Sequence, residues 1–195
     1  MKKLLLLILI PLLPSCAAFK PQEHYVILSN SILLQPLGIN ATVSNDFAYI
    51  GTDTYSKYLK YSNTSGGTTN KFKVSFYLDK KHNRLIYIQS KHLNSGYFTP
   101  KSHLLKNSKY EQSSFVVDNK RFFRLESDKV YLTADEHDYN LVAPHDSKGI
   151  FQARLCEDSV AFTEGTQTLM TMGVVFQCNS KANFDDLIHL KKVTL

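Results

Sequence analysis

The sequence predicts a mainly β fold, an antiparallel β-sandwich or small barrel with one disulfide and little helix. Apolar and polar residues alternate with period two over Lys71 to Leu78, the signature of a half-buried strand. Short runs of β-favouring residues recur about every ten residues from Tyr25 to the C-terminus, the spacing of sandwiches and barrels. Of three cysteines, two stand late in the chain among such runs.

Each element can be justified in order. Tyr25 to Leu28, Ile32 to Leu34 and Phe47 to Ile50 read as the first strands. Ser62 to Asn70 consists of Ser, Asn, Thr and Gly throughout and reads as a loop that buries nothing. In the strand that follows, Phe72, Val74, Phe76 and Leu78 share one face, and Lys71, Lys73, Ser75 and Tyr77 the other. Asp79 to Asn83 is a turn, and Arg84 to Gln89 returns with Ile86 and Ile88 on one face, completing a hairpin. Thr99-Pro100 before Lys101 to Lys106 opens a short helix. Ser114 to Val117, Arg121 to Leu125, Lys129 to Leu132 and Gly149 to Cys156 continue the strand series. Ser159 to Thr163, Met172 to Cys178 and Leu187 to Val193 complete it. Most of these runs are too short, or charged on both faces, for a membrane-spanning barrel.

The N-terminus follows a different logic. Lys2 and Lys3 precede an apolar run from Leu4 to Leu13, broken only by Pro11, and the small residues Ser15, Cys16, Ala17 and Ala18 follow. That is the layout of a secretory signal, and the run is about half of the ~20 residues a membrane-spanning helix needs. Leu13-Pro14-Ser15-Cys16 resembles the bacterial lipoprotein box, with Leu at −3, a small residue at −1 and cysteine at +1. The resemblance covers only the signal. It implies cleavage before Cys16, with acyl chains on the Cys16 sulfur and on the new amine. Ala17 lacks an acidic retention signal, which by the same resemblance implies the outer membrane. Ordinary cleavage after Ala17 or Ala18 is the alternative; it discards Cys16 and yields a periplasmic or secreted protein.

The organisation expected is therefore a signal peptide at 1–15, a lipidated tether at 16–24 and a single β-rich domain at 25–195, within the size of one domain. Two acyl chains already hold a protein stably on a membrane. From Ala17 to His24 the tether reaches at most roughly 27 Å, at about 3.4 Å per residue, which keeps the domain close to the lipid.

The formal charge of +6 comes from 19 lysines and 4 arginines spread along the chain, and two of those lysines leave with the signal. Nucleic-acid binders concentrate Arg and Lys on one face, so no nucleic-acid partner is expected. Scattered lysine is a solvated surface with mild attraction for anionic envelope polymers or headgroups. Once Cys16 is lipidated or discarded, Cys156 and Cys178 are an even pair, and an oxidising compartment joins them. The closed loop is a little longer than 15 residues, which contributes roughly 3 kcal/mol. Neither cysteine has a second Cys or His at ligand spacing, so no metal and no cofactor is expected.

Two clusters carry candidate chemistry. Asp135-Glu136-His137-Asp138 sets three carboxylates around an imidazole, the groups of a divalent-ion site or of a base with its orienting acid. An exposed turn explains the same residues, and the spacing of a calcium loop is missing. Tyr55, Lys57, Tyr58, Lys60 and Tyr61 interleave aromatic and cationic side chains, suited to a polysaccharide or a protein partner. A strand with solvent-facing tyrosines is the plainer reading. His82, His92 and His103 are too widely spaced to share an ion, no Gly-x-Ser-x-Gly elbow occurs, and Ser65-Gly66-Gly67-Thr68 lacks the lysine of a phosphate loop. No catalytic residue is assigned.

These features lead to an envelope-anchored lipoprotein, not an enzyme, that binds another envelope protein or an anionic surface polymer. It would act as an accessory subunit of an envelope assembly and hold the membrane through acyl chains on Cys16. Two alternatives stand beside it. A hydrolase would need residues 135–138 to line a concave pocket beside another ionisable side chain. A secreted inhibitor of a host enzyme such as lysozyme is opposed by the protein's own basic charge.

Overall fold

The computed structural model describes residues 24–60, 66–94, 113–132, 136–165 and 167–193. The expected sandwich is what they form: two open antiparallel sheets, face to face, with a disulfide. The smaller sheet contains β1 (Val26–Leu28), β2 (Ser31–Leu34), β3 (Ile39–Val43) and β11 (Ile188–Lys192), in the order β1-β2-β3-β11. The larger contains β4 (Ala48–Lys60), β5 (Gly67–Asp79), β6 (Arg84–Leu93), β7 (Ser114–Val117), β8 (Lys120–Val130), β9 (Leu155–Glu164) and β10 (Thr168–Gln177). Its order is β4-β5-β6-β10-β9-β8-β7.

Period-two alternation explains the layering. On the inner face of the large sheet Tyr77, Ile86, Ile88, Met172 and Val174 meet Ile32, Leu34, Ile39 and Val43 of the small one. On the outer face Phe72, Val74, Phe76 and Leu78 form a second core with Val142 and Phe151. These last two come from helix α1 (Glu136–Val142) and a 3-10 turn at Ile150–Gln152. The second half of β5 is thus buried on both faces, where alternation alone gives one. Ser75 and Tyr77 lie under the small sheet and are fully buried. Each fully buried Ile, Leu or Phe contributes about 1.5–3 kcal/mol.

Several elements differ from their sequence expectation. Gly67 to Asn70 is the start of β5, not a loop, and Thr68 and Asn70 are buried, because pairing with β4 carries the strand through weak β-formers. The expected strand at Gly149 to Cys156 begins only at Leu155. Before it, Gly149 is left-handed (φ 64), and Asp146 accepts from the backbone N–H of Ile150 (2.7 Å) and Phe151 (3.0 Å), which holds a turn. Arg121 to Leu125 and Lys129 to Leu132 fuse into β8, with the register shifted between Ser127 and Val130. β3 was hidden by Gly38 and Asn40, and Leu187 closes a short helix α2 (Phe184–Leu187) instead of opening the last strand. The helix expected after Thr99-Pro100 lies outside the described residues, as does Cys16. Among the described residues no helix is long and apolar enough to cross a membrane.

Turn chemistry fixes the hairpins. β7 and β8 join through Asp118 (φ 47) and Asn119 (φ 63), residue types that tolerate the left-handed region a tight hairpin demands. The expected turn between β5 and β6 is organised by Asp79, whose Oδ1 accepts from the backbone N–H of Lys81 (3.0 Å) and His82 (3.2 Å). Cys156 in β9 bonds to Cys178 just past β10, with Cα atoms 4.9 Å apart.

Candidate functional site

The pleat of β4 divides the aromatic and basic stretch between two faces. Tyr55 pairs with Phe72 and lies on the outer face, as does Lys57, whereas Tyr58 and Lys60 lie on the inner face. Tyr55 is buried, stacked on Phe72 (centroids 5.0 Å apart) and on His137 (4.1 Å, 5° between planes). Its hydroxyl donates to Asp138 Oδ1 at 3.2 Å. The two clusters singled out in the sequence therefore meet. They do so because His137 and Asp138 occupy the first turn of α1, which packs across β4. His137 Nδ1 is 3.3 Å from Asp53 Oδ2, and Glu136 and His137 face solvent. Tyr61 and Asp135 lie outside the described residues. Among the described residues no group of three or more His, Cys, Asp or Glu is placed to hold a metal ion.

Asp138 also lines a cavity of about 370 Å³ on the outer face, together with Phe76, Tyr87, Gln89, Tyr131 and Glu157. Tyr87 on β6, Gly173 on β10 and Ser159 on β9 stand in one cross-strand row on this face. A side chain at Gly173 would bring Cβ to 2.3 Å from the Ser159 Cβ, so this row closes only around glycine. From this row the Tyr87 hydroxyl donates to Glu157 Oε1. Burial pushes the Glu157 carboxyl above the usual carboxylate range; the neighbouring Ser159 and Tyr87 hydroxyls oppose this, and the Asp158 charge adds to it. Burial, followed by the charge of Glu157, pushes the Tyr87 phenol well up.

This arrangement offers aromatic surface for the apolar face of a ligand, and carboxylate, amide and phenol groups for its hydroxyls. Of the described residues at 136–138, only Asp138 lines the concavity. Tyr87, Gln89, Tyr131 and Glu157 were not singled out in the sequence. The available signal was the face opposite Ile86 and Ile88 in β6, which carries Tyr87 and Gln89 in place of a continuous apolar row.

A larger hollow of about 750 Å³ beside the disulfide is a weaker candidate, because its Arg124, Asp158 and Asn183 are engaged with one another. Arg124 donates through Nε (3.1 Å) and Nη2 (2.7 Å) to both oxygens of Asp158, through Nη1 to Asp185 (2.7 Å) and through Nη2 to Asn183 (2.7 Å). Asp158 Oδ2 also accepts from the Phe184 N–H at 2.8 Å. The hollow is a clamp that ties α2 to the large sheet.

No protein-family model, curated protein or solved structure matches this chain, so the chemistry of its own groups has to carry the reading.

Proposed function

We propose that this chain is an envelope-anchored lipoprotein, non-enzymatic, that holds a surface polymer of the polysaccharide class in the outer-face cavity. The observation that carries the reading is the Tyr87–Glu157 pair facing Asp138 between aromatic walls. Sugar rings present C–H faces that stack on Tyr87 or Tyr131, and hydroxyls that pair with Gln89 and the carboxylates. Two carboxylates in one cavity disfavour an anionic strand there and favour a neutral one. The acyl anchor on Cys16 would keep the cavity within tether reach of envelope glycans.

The test is cosedimentation of the mature protein with purified insoluble envelope polysaccharide, with Tyr87→Phe and Glu157→Gln run beside wild type. Tyr87→Phe removes a hydroxyl and Glu157→Gln replaces a carboxyl oxygen with an amide NH2, and each should weaken binding by about tenfold, equivalent to ~1.4 kcal/mol. Failure of wild type to bind any envelope glycan, or equal binding by all three proteins, rejects the reading.

A second reading is favoured by one observation: Asp138 and Glu157 line the same cavity, and burial pushes the Glu157 carboxyl up. Separated carboxylate environments are how a hydrolase keeps an acid apart from a base. That reading requires new reducing ends during the incubation, lost in Glu157→Gln and in Asp138→Asn. The binding reading requires none.

A further inference from the structure

We infer that the inner-face end of β4, β5 and β6 is the surface this protein lays against anionic lipid headgroups, an inference that rests on the lipid-anchor reading of Cys16. The chain enters the fold at this end. The Tyr25 hydroxyl hydrogen-bonds Ser75 Oγ at 2.9 Å, and Lys73 Nζ donates to the Tyr25 carbonyl at 3.1 Å. His24 stacks on His92 with centroids 5.9 Å apart. Directly across the register, Ser56, Lys71, His92 and Thr168 stand side by side, and the row runs on to Glu164 at its far end on β9.

Lys71 and Lys60 on this face are exposed, and Tyr58 between them is 55% exposed. Tyr58 folds over Gly67, where a Cβ would stand 2.5 Å from its ring, so the glycine leaves the ring lying along the sheet. An amphipathic aromatic ring flanked by lysines is the composition of a lipid-interface contact.

Geometry and charge agree on the occupant. A tether ending at His24 allows at most roughly 27 Å between the acyl group and the domain, so the face beside His24 is the one delivered to the bilayer. Each lysine held near an anionic leaflet adds about 1 kcal/mol, a second signal beside the acyl chains. The outer-face cavity lies on the opposite side of the large sheet and would then turn away from the lipid.

The experiment is amine-reactive footprinting of the acylated mature protein on two kinds of vesicle, zwitterionic phosphatidylcholine alone and the same with about 30% phosphatidylglycerol. Lys60 and Lys71 should react about threefold more slowly on the anionic vesicles, recovering in ~0.5 M salt, while exposed Lys129, Lys148 and Lys181 do not change. Lys60→Glu with Lys71→Glu should abolish any difference between vesicles in flotation at low anchor density. Flotation with pure phosphatidylcholine, and the mass of the N-terminal peptide, report the anchor alone. An acylated, floating protein whose Lys60 and Lys71 react equally on both vesicles overturns the inference and leaves the anchor standing. A protein that carries no acyl group and floats with neither overturns both.

Discussion

The Tyr87 hydroxyl on β6 reaches over the intervening strand β10 and donates to Glu157 Oε1 on β9. In the register Tyr87 stands opposite Gly173 of β10, and Glu157 opposite Val175, two residues further along that strand. The phenol and the carboxyl, both lining the cavity, form its polar floor.

The pH dependence of stability reports that floor. The folded state holds the Glu157 proton more tightly than the unfolded chain, because burial raises its carboxyl. Its contribution is complete below the ordinary carboxylate range, around pH 4, and is lost as pH rises through the folded value. Glu157→Gln keeps an oxygen to accept from Tyr87 and removes this loss. Denaturant midpoints from pH 4 to 8 should show the variant gaining on wild type as pH rises, by at most about 1.4 kcal/mol per pH unit. A difference that stays constant with pH would contradict the assignment.

Asp79 carries the opposite sign. Burial pushes its carboxyl up, but hydrogen bonds from Arg84 (Nη2, 2.5 Å) and His82 (Nδ1, 2.8 Å) outweigh this and leave it below the usual range. Its contribution is present above the ordinary carboxylate value and is lost as pH falls through the folded one. Asp79→Ala removes the acceptor from a nearly buried pair and should cost about 3–5 kcal/mol at neutral pH, with a smaller penalty in acid, read by urea denaturation.

Gly173→Ala tests the close approach of β9 and β10. The added methyl would stand 2.3 Å from the Ser159 Cβ and 3.0 Å from the Asp158 carbonyl, so backbone has to shift. We expect a loss of about 1–3 kcal/mol and a weakened Tyr87–Glu157 contact, seen as a smaller pH effect of Glu157→Gln in that background.

The Cys156–Cys178 bridge spans 22 residues in sequence, and its loss through Cys156→Ser with Cys178→Ser should cost about 3 kcal/mol by loop-closure entropy. Because β9 and β10 stay paired over their length, the fold should persist, with near-native far-UV circular dichroism at a lower thermal midpoint.

Period two and turn chemistry made the β5–β6 hairpin, the strand at Ser114 to Val117 and the disulfide legible in the sequence. What alternation could not show was a second layer on each side of the large sheet, which buries Tyr77 and Phe76 alike. Long-range pairing also overrode local preference at Gly67 to Asn70. Of the site, Tyr55 and Asp138 were visible as members of separate clusters 83 residues apart, and nothing local links them. Glu157 was hidden because a carboxyl beside a cysteine in a strand looks solvent-facing until β6 and β10 supply Tyr87 and Val175 around it.

The most direct test of the central claim is a titration of the isotopically labelled mature protein with soluble oligosaccharides released from the envelope polymer, followed by NMR. Binding in the outer-face cavity predicts saturable shifts at Tyr87, Gln89, Tyr131 and Glu157, with the midpoint moved to about tenfold more ligand in Tyr87→Phe. Shifts confined to Lys57, Tyr58 and Lys60 on β4, or no shifts at millimolar ligand, would contradict it.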